Sequence, residues 1–253
     1  MDFLTDPLHL AAIMAAGLLA GAGNTIAGGG TTLSFPILVW VGLPALIANA
    51  TNTLGLLAGS AGGAWSYRRR IQGQAGWQVL WVPAFLGGAV GAALLLMLPA
   101  EWFGAVAPWR VIGSAGLTAA DPLIQRHLPR PAPGERRVGS SVAAMFLVAI
   151  YGGYFGAGIG ILVLVTLGML GVADLHDANG LKNLLVIGIK GIAALGFVLS
   201  GVIVWPVAAI MLVGSTIGGW GAGHLIQKLD QGTLRWIVVA IGVAMGVIML
   251  LTG

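Results

Sequence analysis

The chain of 253 residues contains no cysteine and few charged residues. Without cysteine there can be no disulfide, no thiolate chemistry and no cysteine-ligated metal. Charged residues make up 8% of the chain, against about 25% in an ordinary soluble domain. A soluble protein this poor in charge could not cover its own surface. The composition therefore predicts a chain whose outer surface faces lipid.

Acidic residues are missing from the predicted middle of every apolar segment. All eight lie in predicted loops or near segment ends: Asp2, Asp6, Glu101, Asp121, Glu135, Asp174, Asp177 and Asp230. This placement argues against a carboxylate proton relay and against a carboxylate-lined cation site.

Patterns for catalysis and metal binding are missing as well. The sequence has no P-loop, no HExxH motif and no Ser/His/Asp arrangement. We interpret the cluster of Asp174, His176 and Asp177 as a solvated loop rather than a metal site. We therefore expect no enzyme activity, no metal, no cofactor and no ATP-driven pumping. The net charge of +4 is attributed to basic loops, so no nucleic acid partner is expected.

Long apolar runs dominate the chain, which is 58% hydrophobic with a mean hydropathy of +0.96. The predicted segments are 8–22, 31–42, 45–65, 77–98, 102–119, 138–155, 160–170, 178–200, 202–225 and 234–251. Their residues do not alternate between apolar and polar, which favours helices over a β-barrel. The predicted fold class is an all-α, polytopic membrane helix bundle.

The sequence indicates an internal repeat with halves 1–120 and 138–253, joined by a polar cytoplasmic linker at 121–137. Three patterns recur in the same order at offsets of about 127 to 130 positions: Gly28-Gly29-Gly30 with Gly156-Ala157-Gly158, Asn49-x-x-Asn52-Thr53 with Asn179-x-x-Lys182-Asn183, and Gly87-Gly88-x-x-Gly91 with Gly214-Ser215-x-x-Gly218. Two repeated halves around a central site are common in transporters.

Each glycine cluster is followed by an apolar segment, 31–42 or 160–170, that is too short to span a bilayer alone. We interpret each as a broken or re-entrant helix, with a plain loop between two tilted helices as the alternative. Amides at such a helix start can bind an anion. Gly29, Gly30 and Gly158 are therefore candidate binding residues.

The basic residues bear on orientation. They form three groups, which are Arg68 to Arg70, the linker residues Arg126, Arg130, Arg136 and Arg137, and the pair Lys228 and Arg235. An odd number of crossings per half puts all three groups on the cytoplasmic side, with both termini outside. An odd number also makes the two repeats inverted. An even number would put Lys228 and Arg235 on the other side.

Lys190 is the leading candidate for chemistry because it lies in the middle of segment 178–200. A lysine at that depth is costly unless it faces a cavity or a partner. Helical spacing sets Asn179 and Asn183 on the same face and Lys182 close to it. The alternative is that the side chain of Lys190 extends to the membrane interface.

The corresponding face of the first half carries Asn49, Asn52, Thr53 and, at the repeat position of Lys190, Ser60. These side chains suit substrate hydrogen bonds, or else hydrogen bonds between helices. Together with the lysines they predict a pocket for a small oxyanion.

Several motifs resemble the TauE/SafE family of sulfite exporters and toluenesulfonate uptake permeases. They are Gly28 to Gly30 followed by Pro36, the turn Gly42-Leu43-Pro44, the patch Asn49 to Thr53, Arg68 to Arg70, and the second-half run Tyr151 to Gly158. Asn24 to Ala27 precede Gly28, where the family often has a longer glycine run. The resemblance covers nearly the whole chain and implies a bacterial or archaeal inner-membrane permease for sulfite, sulfoacetate or a related organosulfonate.

The sequence therefore predicts a secondary transporter that moves a small anion by alternating access around a site at the membrane midplane. An anion channel is the alternative, and a membrane-embedded enzyme or assembly subunit is a third hypothesis without a supporting motif. The expected partners are the anionic substrate and the lipid bilayer, with a homodimer possible.

Overall fold

The computed structural model describes residues 5–26, 28–68, 71, 76–126, 137–172, 174–225 and 231–252. In the first half the helices are α1 (Pro7–Ile26), α2 (Gly30–Trp40), α3 (Ala45–Gly55), α4 (Leu57–Ser66), α5 (Trp81–Met97) and α6 (Ala100–Arg126). A 3-10 turn, Trp77–Leu80, precedes α5. In the second half they are α7 (Val138–Tyr154), α8 (Ile159–Leu170), α9 (Leu175–Leu199), α10 (Trp205–Leu225) and α11 (Gln231–Thr252).

The prediction of an all-α membrane bundle is confirmed, since no strand occurs in the described ranges. Within the described ranges, four helices are by length and composition able to cross a membrane: Pro7–Thr25, Trp77–Met97, Leu175–Leu199 and Trp205–Ala222.

The predicted segment 45–65 is two helices that meet at Leu56. The helical hydrogen-bond pattern nevertheless continues, because Leu56 N donates to Asn52 O and Ser60 N donates to Leu56 O. At the junction a Cβ atom on Gly55 would lie only 2.6 Å from Met211 Cβ. The glycine therefore allows α10 to approach closely, and the interruption is local.

The position expected for Asp121 is wrong. It was predicted to begin the polar linker, but α6 continues to Arg126 and Asp121 is only 5% exposed. Leu123 and Ile124 extend the helix beyond the predicted end at residue 119. Arg235 of α11 contacts the buried carboxylate, with Nη1 3.9 Å from Oδ2.

Each glycine cluster separates a long helix from a short one. α1 ends at Ile26 and α2 begins at Gly30, and the ring of His9 near the start of α1 packs edge-on against Trp40 at the end of α2, at 5.4 Å. Helices α1 and α2 therefore form an antiparallel hairpin. The second hairpin is α7–α8, in which Gly156 and Gly158 have φ of +71° and +70°. Only glycine adopts such values without strain.

Two apolar clusters occupy opposite ends of the bundle. The cluster at the end where α1 starts, the terminal end, contains Phe35, Leu38, Phe103, Phe155 and Phe197. The cluster at the opposite end, the linker end where α7 starts, contains Trp77, Met145, Leu167, Leu170 and Leu181. Buried polar side chains occur along the same helices: Asn24, Thr25, Thr31, Thr32, Ser34, Asn52, Ser60, Ser114, Thr118, Lys182, Asn183, Lys190 and Ser215.

Helices from the two halves pack closely against one another. α1 lies along α10, and α5 lies along α7. Gly21 faces the backbone of Ser215, and Gly91 faces the backbone of Ile150, with no room for a side chain at either glycine. Small residues spaced four apart allow this approach in lipid.

Candidate anion-binding site

The two helix breaks meet inside the bundle. A Cβ atom on Gly28 would lie 2.5 Å from Gly160 Cα, and one on Gly160 would lie 2.6 Å from Gly28 Cα. This contact brings together the starts of α2 and α8. The start of a helix carries a partial positive charge, so both helices favour negative charge at the meeting point.

The two helix starts differ in their capping. Gly30 N at the start of α2 donates to Asn24 Oδ1 at 2.9 Å, across the first break. The start of α8 follows Gly158 and has no side-chain cap. The amides at the start of α8 are therefore better placed to meet a ligand than those of Gly29 and Gly30.

A narrow cleft lies at this meeting point. Its lining residues are Asn24, Gly28, Ser60, Ile159, Gly160, Lys182, Asn183 and Val186. The cleft is too narrow for a water-sized sphere. An oxyanion could therefore enter this cleft only if the lining residues moved apart.

Lys182 lines the cleft and is 1% exposed. Its Nζ donates to Asn179 Oδ1 at 2.9 Å, one turn earlier on α9. Asp121 of α6 is close enough to act electrostatically on it. An ammonium has three donors, and this hydrogen bond uses one of them.

Lys190 is also 1% exposed and lies two turns further along α9. Its Nζ donates to Thr31 Oγ1 at 2.9 Å, in the first turn of α2. A Cβ atom on Gly156 would lie 3.3 Å from Lys190 Cε, so the lysine also rests on the second break. In the described part of the chain no acidic side chain is within ion-pair distance of Lys190.

Two amide side chains in the cleft have unused donors. Asn24 Nδ2 and Asn183 Nδ2 are buried and have no hydrogen-bond partner among the described residues. The side chain of Asn183 packs directly against Gly63, since a Cβ atom added to Gly63 would lie 2.9 Å from Asn183 Nδ2. Buried donors are nearly always paired in proteins, so these two favour a ligand that accepts hydrogen bonds.

The other predicted site residues lie outside the cleft lining. Asn52 accepts a hydrogen bond from Ser34 Oγ at 2.6 Å through Oδ1, and its Nδ2 is buried without a described partner. Asn49 Nδ2 donates to Tyr154 O at 3.0 Å, beside the second break. Among the predicted residues, the cleft thus brings together Lys182, Asn183 and Ser60.

Sequence reasoning missed Asn24, Thr31 and Asp121. Asn24 stands just before the first glycine cluster, where it breaks the family's usual run, and that departure was the available signal. Thr31 is 159 positions from Lys190, and no local pattern connects the two. Asp121 was missed because Pro122 beside it suggests the end of a helix.

The chain is thus a polytopic helical membrane protein in which two helix breaks meet among buried polar side chains. It belongs to the family described as sulfite exporter TauE/SafE, whose profile matches residues 13–249. This match confirms the resemblance, and the chain is a multi-pass membrane transporter.

The relatives carry the same general description. The chain is 27% identical over 246 residues to the probable membrane transporter protein YfcA of Escherichia coli K12, covering 96% of this chain and 90% of that protein. It is 26% identical over 245 residues to a probable membrane transporter protein of Haemophilus influenzae, with 91% and 90% covered. A probable membrane transporter protein ORF9 of a Sinorhizobium species is 28% identical over 249 residues, with 94% and 91% covered. No solved structure matches the chain.

Proposed function

We propose that this protein is a secondary transporter that moves a small sulfur oxyanion, such as sulfite or an organosulfonate, through the bacterial or archaeal inner membrane. The observation that carries the proposal is the meeting of the starts of α2 and α8 at Gly28 and Gly160, with Lys182 and Lys190 buried beside them.

The charge balance of the site favours an anion. A buried ammonium without compensation costs several kcal/mol or more in a low-dielectric interior. Lys190 has one hydroxyl partner and no carboxylate within ion-pair distance in the described ranges. An oxyanion would supply the missing negative charge and would accept hydrogen bonds from Lys190, Asn183 and Asn24.

The choice of a sulfur oxyanion rests on the family. Sulfite and sulfonates present three oxygens in a compact group, and such a group suits a site made of ammonium and amide donors. Phosphate and carboxylates would use the same donors. A direct comparison of ligands is therefore part of the test.

Alternating access is supported by the arrangement of the hairpins. Glycines with positive φ recur at about the repeat offset, Gly28 (+74°) with Gly156 (+71°) and Gly158 (+70°), and Gly42 (+107°) with Gly171 (+98°). The packing between the halves is also reciprocal: the first helix of each half packs against a later helix of the other half, α1 on α10 and α7 on α5. We infer inverted repeats, with one hairpin entering from each end, the basic residues Arg68 and Arg235 in the cytoplasm, and both termini outside.

The test measures uptake of sulfite, sulfate, sulfoacetate and taurine into proteoliposomes, together with thermal shifts produced by the same compounds. We expect saturable uptake and a selective rise in Tm for one sulfur oxyanion, because a ligand stabilises the state that binds it. Lys190→Ala should abolish uptake and should strongly reduce the rise in Tm. Ser141→Ala is the control, since Ser141 is fully buried with an unpaired hydroxyl but lies in the first turn of α7, away from both helix breaks.

Two outcomes would contradict the proposal. Unchanged uptake in Lys190→Ala would reject the site. Uptake that never saturates, together with single-channel currents, would indicate an anion channel instead.

A further inference from the structure

Arg110 is a third cation within the bundle, half-buried and outside the cleft lining. It is ten residues from the start of α6, which corresponds to about 15 Å of helix. Its guanidinium carbon lies 4.5 Å from the ring centre of Tyr154 and 5.2 Å from that of Phe103. Nη2 donates to the Tyr154 hydroxyl at 3.3 Å.

The guanidinium is not fully satisfied by these contacts. Arg110 Nη1 is buried and has no hydrogen-bond partner in the described part of the protein. The ion pairs found there join His9 to Asp6 and Arg235 to Asp121. Arg110 therefore has aromatic rings and a hydroxyl around it but no carboxylate, although a membrane-embedded arginine is expected to have a partner.

Arg110 and Lys190 flank the same helix break. Arg110 stacks on Tyr154, the last residue of α7, and Lys190 rests on Gly156, two residues later. Two cations beside one short stretch of backbone repel each other in a low-dielectric interior. Neither has an acidic partner among the residues described. An anion between or beside them would remove that repulsion.

We propose that Arg110 and the Tyr154 hydroxyl form a second oxyanion subsite beside the second helix break. This inference rests on the proposed transport function. A guanidinium presents two parallel N–H donors to two oxygens of one anion, a geometry that an ammonium lacks. The aromatic rings hold the guanidinium flat, and the free Nη1 leaves an edge for the ligand. The anion binds at this subsite on its way to or from the Lys190 site.

The chemistry of the subsite fits a sulfonate or sulfite oxygen pair, and it also fits the phosphate of an anionic lipid headgroup. Both sources use the same bidentate contact. The experiment therefore compares nanodiscs of phosphatidylcholine with nanodiscs that contain phosphatidylglycerol.

The experiment measures equilibrium binding of sulfite and sulfoacetate to the full chain and to four variants. They are Arg110→Gln, Arg110→Lys, Lys190→Ala and the double variant Arg110→Gln with Lys190→Ala. Arg68→Gln is the matched control, because Arg68 also stacks on an aromatic ring, that of Trp65 at 4.6 Å, but is exposed near the end of α4.

The expected result is a roughly tenfold weaker affinity in Arg110→Gln, from the lost charge-assisted pair. The affinity of Arg110→Lys should lie between those of wild type and Arg110→Gln, because lysine keeps the positive charge but lacks the two parallel N–H donors of a guanidinium. Lys190→Ala should retain weak binding at the remaining subsite, and the double variant should retain none. Arg68→Gln should bind like wild type.

The outcomes separate the two proposals. If wild type binds none of these anions, the proposed substrate class fails. If Arg110→Gln binds like wild type and only loses retention of phosphatidylglycerol, Arg110 holds a headgroup and the subsite is rejected. If Arg110→Gln does not fold, Arg110→Lys decides the question, and wild-type affinity for both anions in that variant overturns the subsite.

Discussion

The two halves of the molecule each contain a helix break at a glycine cluster, but they differ in charge. At positions 130 residues apart, the first half has Asn52 and Ser60 where the second half has Lys182 and Lys190. All four side chains are buried. The first-half residues are neutral and bond to nearby groups, Asn52 to Ser34 and Ser60 to Leu56 O. The positive charge of the central site therefore comes from α9 alone.

This difference indicates that the backbone geometry and the positive charge come from different parts of the chain. The paired breaks provide two helix starts that face each other at Gly28 and Gly160, and that arrangement needs both halves. The positive charge is supplied by Lys182 and Lys190 of the second half. Exchanging residues between corresponding positions should therefore alter anion binding strongly and alter the backbone little.

The largest expected effect comes from Lys190→Ser. This substitution gives the second half the residue that the first half has at the corresponding position, Ser60. Transport should fall by about a hundredfold or more, since both the charge and its hydrogen bonds are lost. The unliganded protein should become more stable by about 1 kcal/mol or more, because a buried unpaired charge is removed. Uptake assays and thermal unfolding measure the two effects. A variant that lost stability together with transport would argue that Lys190 is structural.

Anion binding should also be sensitive to substitutions at the contact between the two helix breaks. Gly160→Ala would put a Cβ atom 2.6 Å from Gly28 Cα, and overpacking of this kind costs about 1–3 kcal/mol. The starts of α2 and α8 should move apart, with about tenfold weaker anion binding. Gly191→Ala on α9 is the control, because no atom lies within 4 Å of its Cβ position. Equal effects from the two substitutions would contradict the convergence of the helix starts.

Lys182→Asn should have a smaller effect, because Lys182 has an opposing charge in Asp121 whereas Lys190 has none within ion-pair distance in the described ranges. We expect anion affinity to fall by about tenfold, which corresponds to about 1.4 kcal/mol, with transport still detectable. Binding calorimetry measures the change. A complete loss of transport would make Lys182 the primary anion ligand and reverse the assigned order of the two lysines.

The smallest effect is expected at the cap of the first break. Asn24→Ala removes the acceptor of Gly30 N and should cost about 1 kcal/mol of stability. Anion affinity should fall less than threefold, since the Nδ2 of Asn24 is one donor of several. Asn24→Asp keeps the cap but adds a negative charge to the cleft, so it should bind the anion more weakly than Asn24→Ala. The reverse order, measured by binding calorimetry, would show that the cap matters more than the electrostatics.

Local sequence patterns predicted much of the fold. The two glycine clusters marked the helix breaks, and the depth of Lys190 in its segment predicted a buried lysine. The same local reasoning failed at Asp121, where Pro122 suggested a helix end. The helix continues there because Asp121 is buried and contacts Arg235 from a helix that follows it by more than one hundred positions.

The candidate site was less accessible to sequence reasoning. Asn179, Asn183 and Lys190 share a helix face by spacing alone, but the partner of Lys190 is Thr31 and the partner of Lys182 is Asn179. Ser60 was found through the repeat, whereas Asn24 required knowledge of which residues line the cleft. Contacts between distant segments depend on packing, which no single segment encodes.

The sequence by itself determined that the protein lies in lipid and folds as a helix bundle. The reason is that the free energy of transfer into lipid, unfavourable for charged groups and favourable for apolar groups, is a sum over individual residues. It also determined where helices break, since glycine alone adopts positive φ without strain. Only the tertiary structure decided which polar groups meet. The close approach of small residues on helices from both halves sets the two helix starts against each other and brings the lysines of α9 beside them.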